Sequence, residues 1–230
     1  MSKGSPKKTI DHVFEEFLDE QKARLSPRTL RKYDDILDLF RSCLEGYWPG
    51  HDQEEYNRIT ATGGTFCGTF GPEELPGGVD EFLGYFMPHK VIAGKETMKA
   101  AGTVTKKLMK WLTEKGYVED AEALEMAEER AGDAARELPA ARDVVDLLEA
   151  YLDEHAPERY SQEIEDHFTI TRIEPGKLWL GPLTSGDSTI GPIPVPREVS
   201  RMCKEGWDIS GAAVKTPKGW RLMEVWNVSP

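Results

Sequence analysis

Basic side chains are concentrated in two stretches of this 230-residue sequence. In the first stretch, residues 22–32, five of eleven residues are basic and none is acidic: Lys22, Arg24, Arg28, Arg31 and Lys32. The second stretch, residues 95–110, contributes five lysines: Lys95, Lys99, Lys106, Lys107 and Lys110. Ammonium and guanidinium groups neutralise backbone phosphates and release their counterions. These residues are therefore predicted to form a binding surface for a polyanion that carries phosphates.

The first stretch lies where a helix is predicted to begin. Ser26 suits the N-cap and Pro27 the first helical position. Apolar residues then recur at three- and four-residue steps: Leu30, Tyr33, Leu37, Phe40 and Leu44. Basic residues in the first turn oppose the helix dipole by roughly 0.3–1 kcal/mol each. Their presence there favours a phosphate partner over an ordinary solvated face.

The second stretch belongs to a predicted amphipathic helix over residues 95–118. One face is formed by the residues at helical spacing: Met98, Ala101, Thr105, Leu108 and Leu112. At about 100° per residue, Lys95, Lys99, Lys106 and Lys110 fall within roughly 60° on a neighbouring face, with Lys107 just beyond. Gly116 supplies the C-terminal stop. The helix can dock on a core and present its lysines to a polyanion; the alternative is a solvated lysine face.

These stretches fall within an α+β protein with three predicted parts. Residues 1–118 form an N-terminal four-helix domain. Residues 119–157 form an acidic helical linker, and residues 158–230 form a small β-barrel of the SH3-like or OB-like type.

Within the N-terminal domain, Thr9 is suited to cap a first helix. Residues 46–78 are rich in Gly and Pro and are predicted to be a long loop. A short third helix follows over residues 79–87 and ends at Pro88.

The net charge of −12 comes from the middle of the chain, because residues 119–166 hold four bases and seventeen acids. Residues 119–137 are almost polar all round and are predicted to be a solvated helical spacer. An alternative is that this acidic segment mimics nucleic acid and competes for the basic residues.

The C-terminal part changes to the period-two pattern of β-strands. Residues 168–171 and 178–180 are predicted to pair around a Pro175-Gly176 turn, and residues 207–214 and 220–228 around a second turn. Residues 190–196 must be extended because of their three prolines. Four tryptophans of this part either fill the core or stack on bases: Trp179, Trp207, Trp220 and Trp226.

Other chemistry is weakly supported. The five histidines and three cysteines show no metal-ligand spacing, so neither a metal nor a cofactor is predicted. Free cysteines and the absence of an apolar leader indicate a reducing, cytoplasmic setting. One cluster could form an acid–base pair, although exposed linker carboxylates are the commoner explanation: Glu163, Glu165, Asp166 and His167.

Two motifs resemble the N-terminal core-binding domain of phage integrases and related tyrosine recombinases. Ser26, Thr29 and Tyr33 match the Ser-x-x-Thr-x-x-x-Tyr pattern that opens the second helix of that domain. Trp111, Gly116 and Tyr117 match its aromatic-rich closing turn, so that the resemblance covers residues 9–118. The resemblance implies a four-helix, SAM-like bundle that clamps one side of the DNA duplex.

The catalytic half of that family is missing from the sequence. There is no His-x-x-Arg motif, and the last tyrosine, Tyr160, is followed by no residue that could act as the nucleophile. We therefore expect a non-catalytic DNA-binding protein. The alternative is a protein-interaction or regulatory scaffold, with a protein partner for the C-terminal barrel. Convergence of the two basic stretches on one surface would favour DNA.

Overall fold

The computed structural model describes residues 8–47, 53–184 and 188–230. The chain divides into a helical unit, Met1–Arg136, and a second unit, Glu137–Pro230. The helices are α1 Ile10–Lys22, α2 Pro27–Gly46, α3 Gln53–Ala61, α4 Phe66–Thr69, α5 Leu75–Asp80, α6 Met87–Lys90, α7 Lys95–Lys115, α8 Ala121–His155 and α9 Arg197–Met202. The strands are β1 Gln162–Glu174, β2 Lys177–Pro182, β3 Ile190–Pro194, β4 Asp208–Thr216 and β5 Gly219–Ser229. The broad α+β prediction is confirmed.

The helix limits predicted from capping chemistry are confirmed in α1, α2 and α7. The Thr9 side chain accepts a hydrogen bond from the His12 amide, and Ser26 accepts one from the Thr29 amide at 3.2 Å. Gly116 ends α7 in the left-handed conformation, with φ 65°, which costs glycine little. These ends place the first basic stretch across the turn between α1 and α2, and the second stretch within α7.

The predicted loop over residues 46–78 is wrong for its described part, which is largely helical. The Glu45 carboxylate accepts hydrogen bonds from the Phe66 and Cys67 amides at 2.8 Å, so that α4 is anchored to α2. A Cβ at Gly78 would lie 2.7 Å from Leu44 Cδ2, so this glycine permits close packing on α2. The glycines of this stretch therefore allow helices to pack closely against each other, in addition to forming loops. Residues 48–52 of this stretch lie outside the described residues.

The third helix begins earlier and ends later than predicted, because a helical path runs from Leu75 to Lys90. A π-helical turn, Glu81–Phe86, joins α5 to α6. Pro88 has no amide to donate, and its ring would clash with the Gly84 carbonyl in a regular α-helix. The wider turn lies directly before Pro88, and the path continues beyond it.

The first half of α8 is not the polar spacer predicted from its composition. Its buried residues lie at helical spacing: Leu124, Ala127, Ala131 and Ala134. A Cβ at Gly102 of α7 would lie 2.3 Å from the Ala135 nitrogen, so the two backbones approach closely there. Because most residues of this buried face are alanines, a pattern based on large apolar residues does not reveal it. The boundary between the two units falls after Arg136, whereas the boundaries predicted from the sequence lie at residues 118 and 157.

The second unit contains a curled, five-stranded antiparallel sheet, a half-barrel, with strand order β3-β2-β1-β4-β5. The edge strands β3 and β5 contact one another without forming a hydrogen-bonded pair. Both predicted hairpins are present, and Glu174 pairs with Lys177 at the first turn. The core of this unit includes Val144, Leu148, Phe168, Leu180, Ile193 and Val225.

The four tryptophans of this unit do not share one environment. Trp207 is buried in the core, whereas Trp226 is 49% exposed, and Trp179 and Trp220 are half-buried. The core explanation therefore holds for Trp207, and only Trp226 offers a largely free ring. No helix in the described ranges has an apolar run long enough to cross a membrane.

Candidate nucleic-acid interface

The basic residues predicted to bind DNA all lie in the helical unit. Lys22 ends α1, Arg24 lies in the α1–α2 turn, and the others lie on α2 and α7. All are exposed except Lys32, which is half-buried. Within the described part of the chain, seven of them form no ion pair: Lys22, Arg24, Arg28, Arg31, Lys99, Lys107 and Lys110. No carboxylate of the described residues lies within ion-pair distance of these seven, and besides Lys115, Arg24 is close enough to Glu20 to help hold the pKa of that carboxyl below its ordinary value.

One groove brings the two basic stretches together. It lies between the α1–α2 turn and the C-terminal half of α7, and has a volume of about 300 Å³. Its lining includes Arg24 from the first stretch and Lys107 and Lys110 from the second. The remaining lining residues are Gln21, Leu25, Trp111 and Glu114. Three cations and one carboxylate give this groove a net positive charge.

The groove is held open by contacts between α7 and its two neighbours. The Lys107 ammonium donates to the Tyr33 hydroxyl and lies 5.2 Å from the centre of that ring. The Trp111 ring is buried edge-on against Phe17, at 5.5 Å between centroids. Its Nε1 donates to the Glu20 carboxylate at 2.8 Å. The residues that matched the integrase-like motif thus lock α7 to α1 and α2.

The charged side chains beside the groove also form hydrogen bonds with one another and with neighbouring aromatic residues. Lys115 donates to Glu20, and the Tyr117 hydroxyl donates to Glu16 at 2.8 Å. The hydrogen bond from Lys115, followed by that from Trp111, holds the pKa of Glu20 below its ordinary value. The same bond raises the pKa of Lys115. Lys115 is therefore a structural cation, in contrast to Lys110.

Two predicted site residues are paired outside the groove. Lys106 lies next to α8, with its Nζ 3.9 Å from Glu128. Lys32 lies 3.8 Å from Glu96, the first acidic residue of α7. Both cations are partly neutralised within the helical unit. Lys106 and Lys110, which were predicted to share one face, therefore differ in surroundings: Lys106 lies beside Glu128 of α8, and Lys110 lines the groove.

Other predicted site residues are separated from the groove by helix geometry. Lys95 and Lys99 precede Lys110 by about 22 Å and 16 Å along α7, at about 1.5 Å per residue. Lys32 and Tyr33 mark the side of α2 that contacts α7. At about 100° per residue, Arg31 is rotated by about 150° around the helix axis from the centre of that side. Arg28 lies between these two sides of α2. The ten residues therefore form one cluster of three with the others spread around it.

Gln21 and Glu114 line the groove, although the sequence patterns do not single them out. Gln21 is 7% exposed and lies four residues after Phe17, on the buried face of α1. A polar residue at an apolar position of the helical pattern is a signal that could have identified it. Glu114 has no comparable signal, because acids are common at the exposed end of a helix.

The cluster of Glu163, Glu165, Asp166 and His167 belongs to β1 rather than to a linker. Glu163 and Glu165 are exposed, as the explanation by exposed carboxylates predicts. The Asp166 carboxylate is buried and accepts hydrogen bonds from the His167 amide at 2.8 Å and the Thr184 hydroxyl at 2.9 Å. His167 Nδ1 lies 2.6 Å from the Ser210 hydroxyl, whose residue is 1% exposed. Asp166 thus holds the segment after β2 against β1.

In the described ranges, no three His, Cys, Asp or Glu side chains lie close enough together to bind a metal ion. All three cysteines are buried and unpaired. Burial raises the pKa of the Cys43 and Cys203 thiols to about 12 and also raises that of Cys67. These thiols are poorly suited to nucleophilic chemistry at neutral pH.

No family model, curated protein or solved structure matches this chain. The resemblance to the integrase core-binding domain therefore stays a prediction based on Ser26, Thr29, Tyr33, Trp111, Gly116 and Tyr117.

Proposed function

We propose that this chain is a non-catalytic DNA-binding protein whose helical unit contacts the backbone phosphates of duplex DNA. The observation that carries the proposal is the meeting of Arg24, Lys107 and Lys110 in one groove. Arg24 and Lys110 form no ion pair among the described residues. Such cations gain more from a phosphate than cations already paired with carboxylates.

The overall charge of −12 does not oppose this function at physiological salt. Charges on the surface interact weakly beyond a screening length of about 8 Å at 0.15 M salt. The local charge of the groove therefore governs contact with DNA, whereas the acidic residues act mainly at low salt. Phosphate contacts position a protein without reading bases, so the predicted binding is largely independent of sequence.

We further propose a finer fold for each unit. In the helical unit, α1, α2, the Leu75–Lys90 path and α7 form a SAM-like bundle of the integrase core-binding type. The capping pair Ser26 and Thr29, with hydroxyls 2.9 Å apart, and the packing of Tyr33 on Phe17 support it. In the second unit, the curled sheet is a small SH3-like or OB-like barrel.

The test is a duplex binding assay on the full chain across salt concentrations. Replacing Arg24 and Lys110 by Ala should weaken binding and reduce the slope of log K against log salt by about 1.8, because each phosphate neutralised contributes about 0.9 to that slope. The matched control is Arg201→Ala with Lys218→Ala, which removes an exposed arginine and lysine from the second unit. Equal decreases in affinity and slope in both double variants would contradict the proposed surface.

A scaffold function is the second proposal, and a separate groove of the helical unit favours it. This groove of about 440 Å³ is lined by Pro76, Val79, Met126 and other residues of α5 and α8. Met126 is 65% exposed there, as a protein-binding surface requires. In the second unit, Trp226 offers a further contact for a protein partner. If the scaffold alone is correct, the Arg24 and Lys110 variant will bind DNA as the unaltered chain does.

A further inference from the structure

The carboxamide of Gln21 is the one feature of the groove that intramolecular packing does not explain. The residue is 7% exposed and lines the groove beside Arg24 and Lys107. No group in the described ranges hydrogen-bonds to its side chain. Its polar atoms are not sealed in, because the fully enclosed unpartnered side-chain atoms of those ranges are Thr105 Oγ1 and Asn227 Oδ1. The amide therefore retains access to solvent, at a residue that lines the groove.

A glutamine at this position interrupts an otherwise apolar face of α1. Gln21 continues the face of α1 formed by Ile10, Val13, Phe14 and Phe17, all of which are fully buried. Because the amide atoms are not enclosed, water can hydrogen-bond to them in the absence of a ligand. A ligand in the groove that accepts a hydrogen bond can replace this water.

The surroundings of the amide select the chemistry of that ligand. Arg24, Lys107 and Lys110 are hydrogen-bond donors with positive charge, and Gln21 Nε2 adds a neutral donor. Base stacking is disfavoured because the Trp111 ring is only 4% exposed and packs against Phe17 and Tyr117. An anion with several acceptor oxygens satisfies all four donors.

From this arrangement we propose that the groove is a pocket for a single phosphate group. In the setting of the proposed DNA-binding function, on which this inference rests, the ligand is one backbone phosphodiester. Gln21 Nε2 donates to a non-bridging oxygen, while Arg24 and Lys110 neutralise the charge. Lys107 is held in place by Tyr33, so its ammonium is positioned before the ligand arrives. Glu114 limits the affinity by placing one carboxylate in the same groove.

The first arm of the test measures duplex affinity with Gln21→Met in the full chain. Methionine keeps the length and helix preference of glutamine but removes the donor. We expect affinity to fall about tenfold with an unchanged salt slope, because the charge of the protein stays the same. The control is Gln162→Met, the same replacement at an exposed position on β1, which should leave affinity unaltered.

The second arm follows the side-chain amide signal of Gln21 in the unaltered chain by NMR. The signal is assigned by its absence from the spectrum of Gln21→Met, and the probes are a short DNA duplex and inorganic pyrophosphate. A shift with both probes identifies a phosphate pocket that accepts the DNA backbone. The titration is made on the unaltered chain, so its result does not depend on the duplex affinity of the variant.

The outcomes separate this inference from the proposed function. Duplex binding that is identical in Gln21→Met, with no amide shift, overturns the phosphate pocket and leaves the DNA-binding function standing. An amide shift with pyrophosphate but no duplex binding overturns the DNA-binding function and keeps the pocket. If the chain does not bind the duplex and the amide signal shifts with neither probe, both the phosphate pocket and the DNA-binding function are overturned.

Discussion

Single lysines of α7 illustrate how neighbouring positions acquire different roles. Lys106 and Lys110 are one helical turn apart, and the sequence pattern places them on one face. In the structure Lys106 lies 3.9 Å from Glu128 of α8, whereas Lys110 lines the groove with Arg24. A residue's own helix therefore does not determine whether its charge is available to a ligand.

Lys106→Ala and Lys110→Ala should accordingly differ in duplex binding. Lys110→Ala should reduce the salt slope by about 0.9 and weaken binding, because the protein then neutralises one phosphate fewer. Lys106→Ala should change the slope much less, because its partner is already a carboxylate. Salt titrations of the two single variants provide the comparison. Equal slopes in the two variants would show that the pairing with Glu128 does not survive contact with DNA.

At the scale of elements, the close contact between α7 and the first half of α8 is the least tolerant feature of the helical unit. Buried alanines on α8 and Gly102 on α7 allow the two backbones to approach. The lysine-bearing helix is thus fixed on one side by α8 and on the other by α2, through Tyr33 and Lys107. Its position in the groove depends on both contacts.

Gly102→Ala should destabilise the protein by about 1–3 kcal/mol, because the added methyl would lie 2.3 Å from the Ala135 nitrogen. Gly46→Ala is the matched control, since nothing lies within 4 Å of a Cβ there. The control should be neutral or slightly stabilising, because alanine favours helices over glycine. Urea unfolding of the two variants measures the difference. A Gly102→Ala protein as stable as the control would rule out the tight contact.

At the scale of the whole molecule, charge is distributed unevenly, and the acidic segment includes part of the helical unit. Glu122, Glu125 and Glu129 are exposed on the first half of α8, which packs against α7. Removing the whole segment would uncover Gly102 and the residues around it. Neutralising the charges leaves that packing intact and isolates their electrostatic effect.

Replacing Glu122, Glu125 and Glu129 by Gln should tighten duplex binding at low salt, because long-range repulsion of the phosphates falls. The gain should shrink as salt is raised and screening shortens the range of the field. A control with Gln at Glu154, Glu158 and Glu205 removes the same charge at exposed positions of the second unit. An equal gain in the control would assign the effect to net charge alone.

The whole chain should form no covalent adduct with DNA. Tyr160, the last tyrosine, has a pKa raised by its hydrogen bond with Glu163, which disfavours the phenolate needed for attack. Tyr151 stacks on His155 at 4.4 Å between ring centroids. Incubation with labelled, nicked duplexes followed by denaturing gels provides the measurement. A labelled protein band that disappears in Tyr151→Phe or Tyr160→Phe would show recombinase-like chemistry.

Local chemistry in the sequence was sufficient to locate several element ends. Ser26 and Pro27 begin α2, Gly116 ends α7, and Pro175 with Gly176 turns β1 into β2. Each of these signals acts within a few residues, through a capping hydrogen bond or an allowed backbone angle. The apolar face of α7 could be predicted for the same reason, since helical spacing is a local property.

Only the tertiary structure decided which of the predicted cations meet. Arg24 and Lys110 are 86 positions apart, and their groove depends on how Trp111 packs on Phe17 and bonds to Glu20. The same is true of Gln21, whose open amide is evident only once α7 is in place. Contacts between distant segments depend on side-chain shape and backbone approach, which local hydrophobic patterns do not encode.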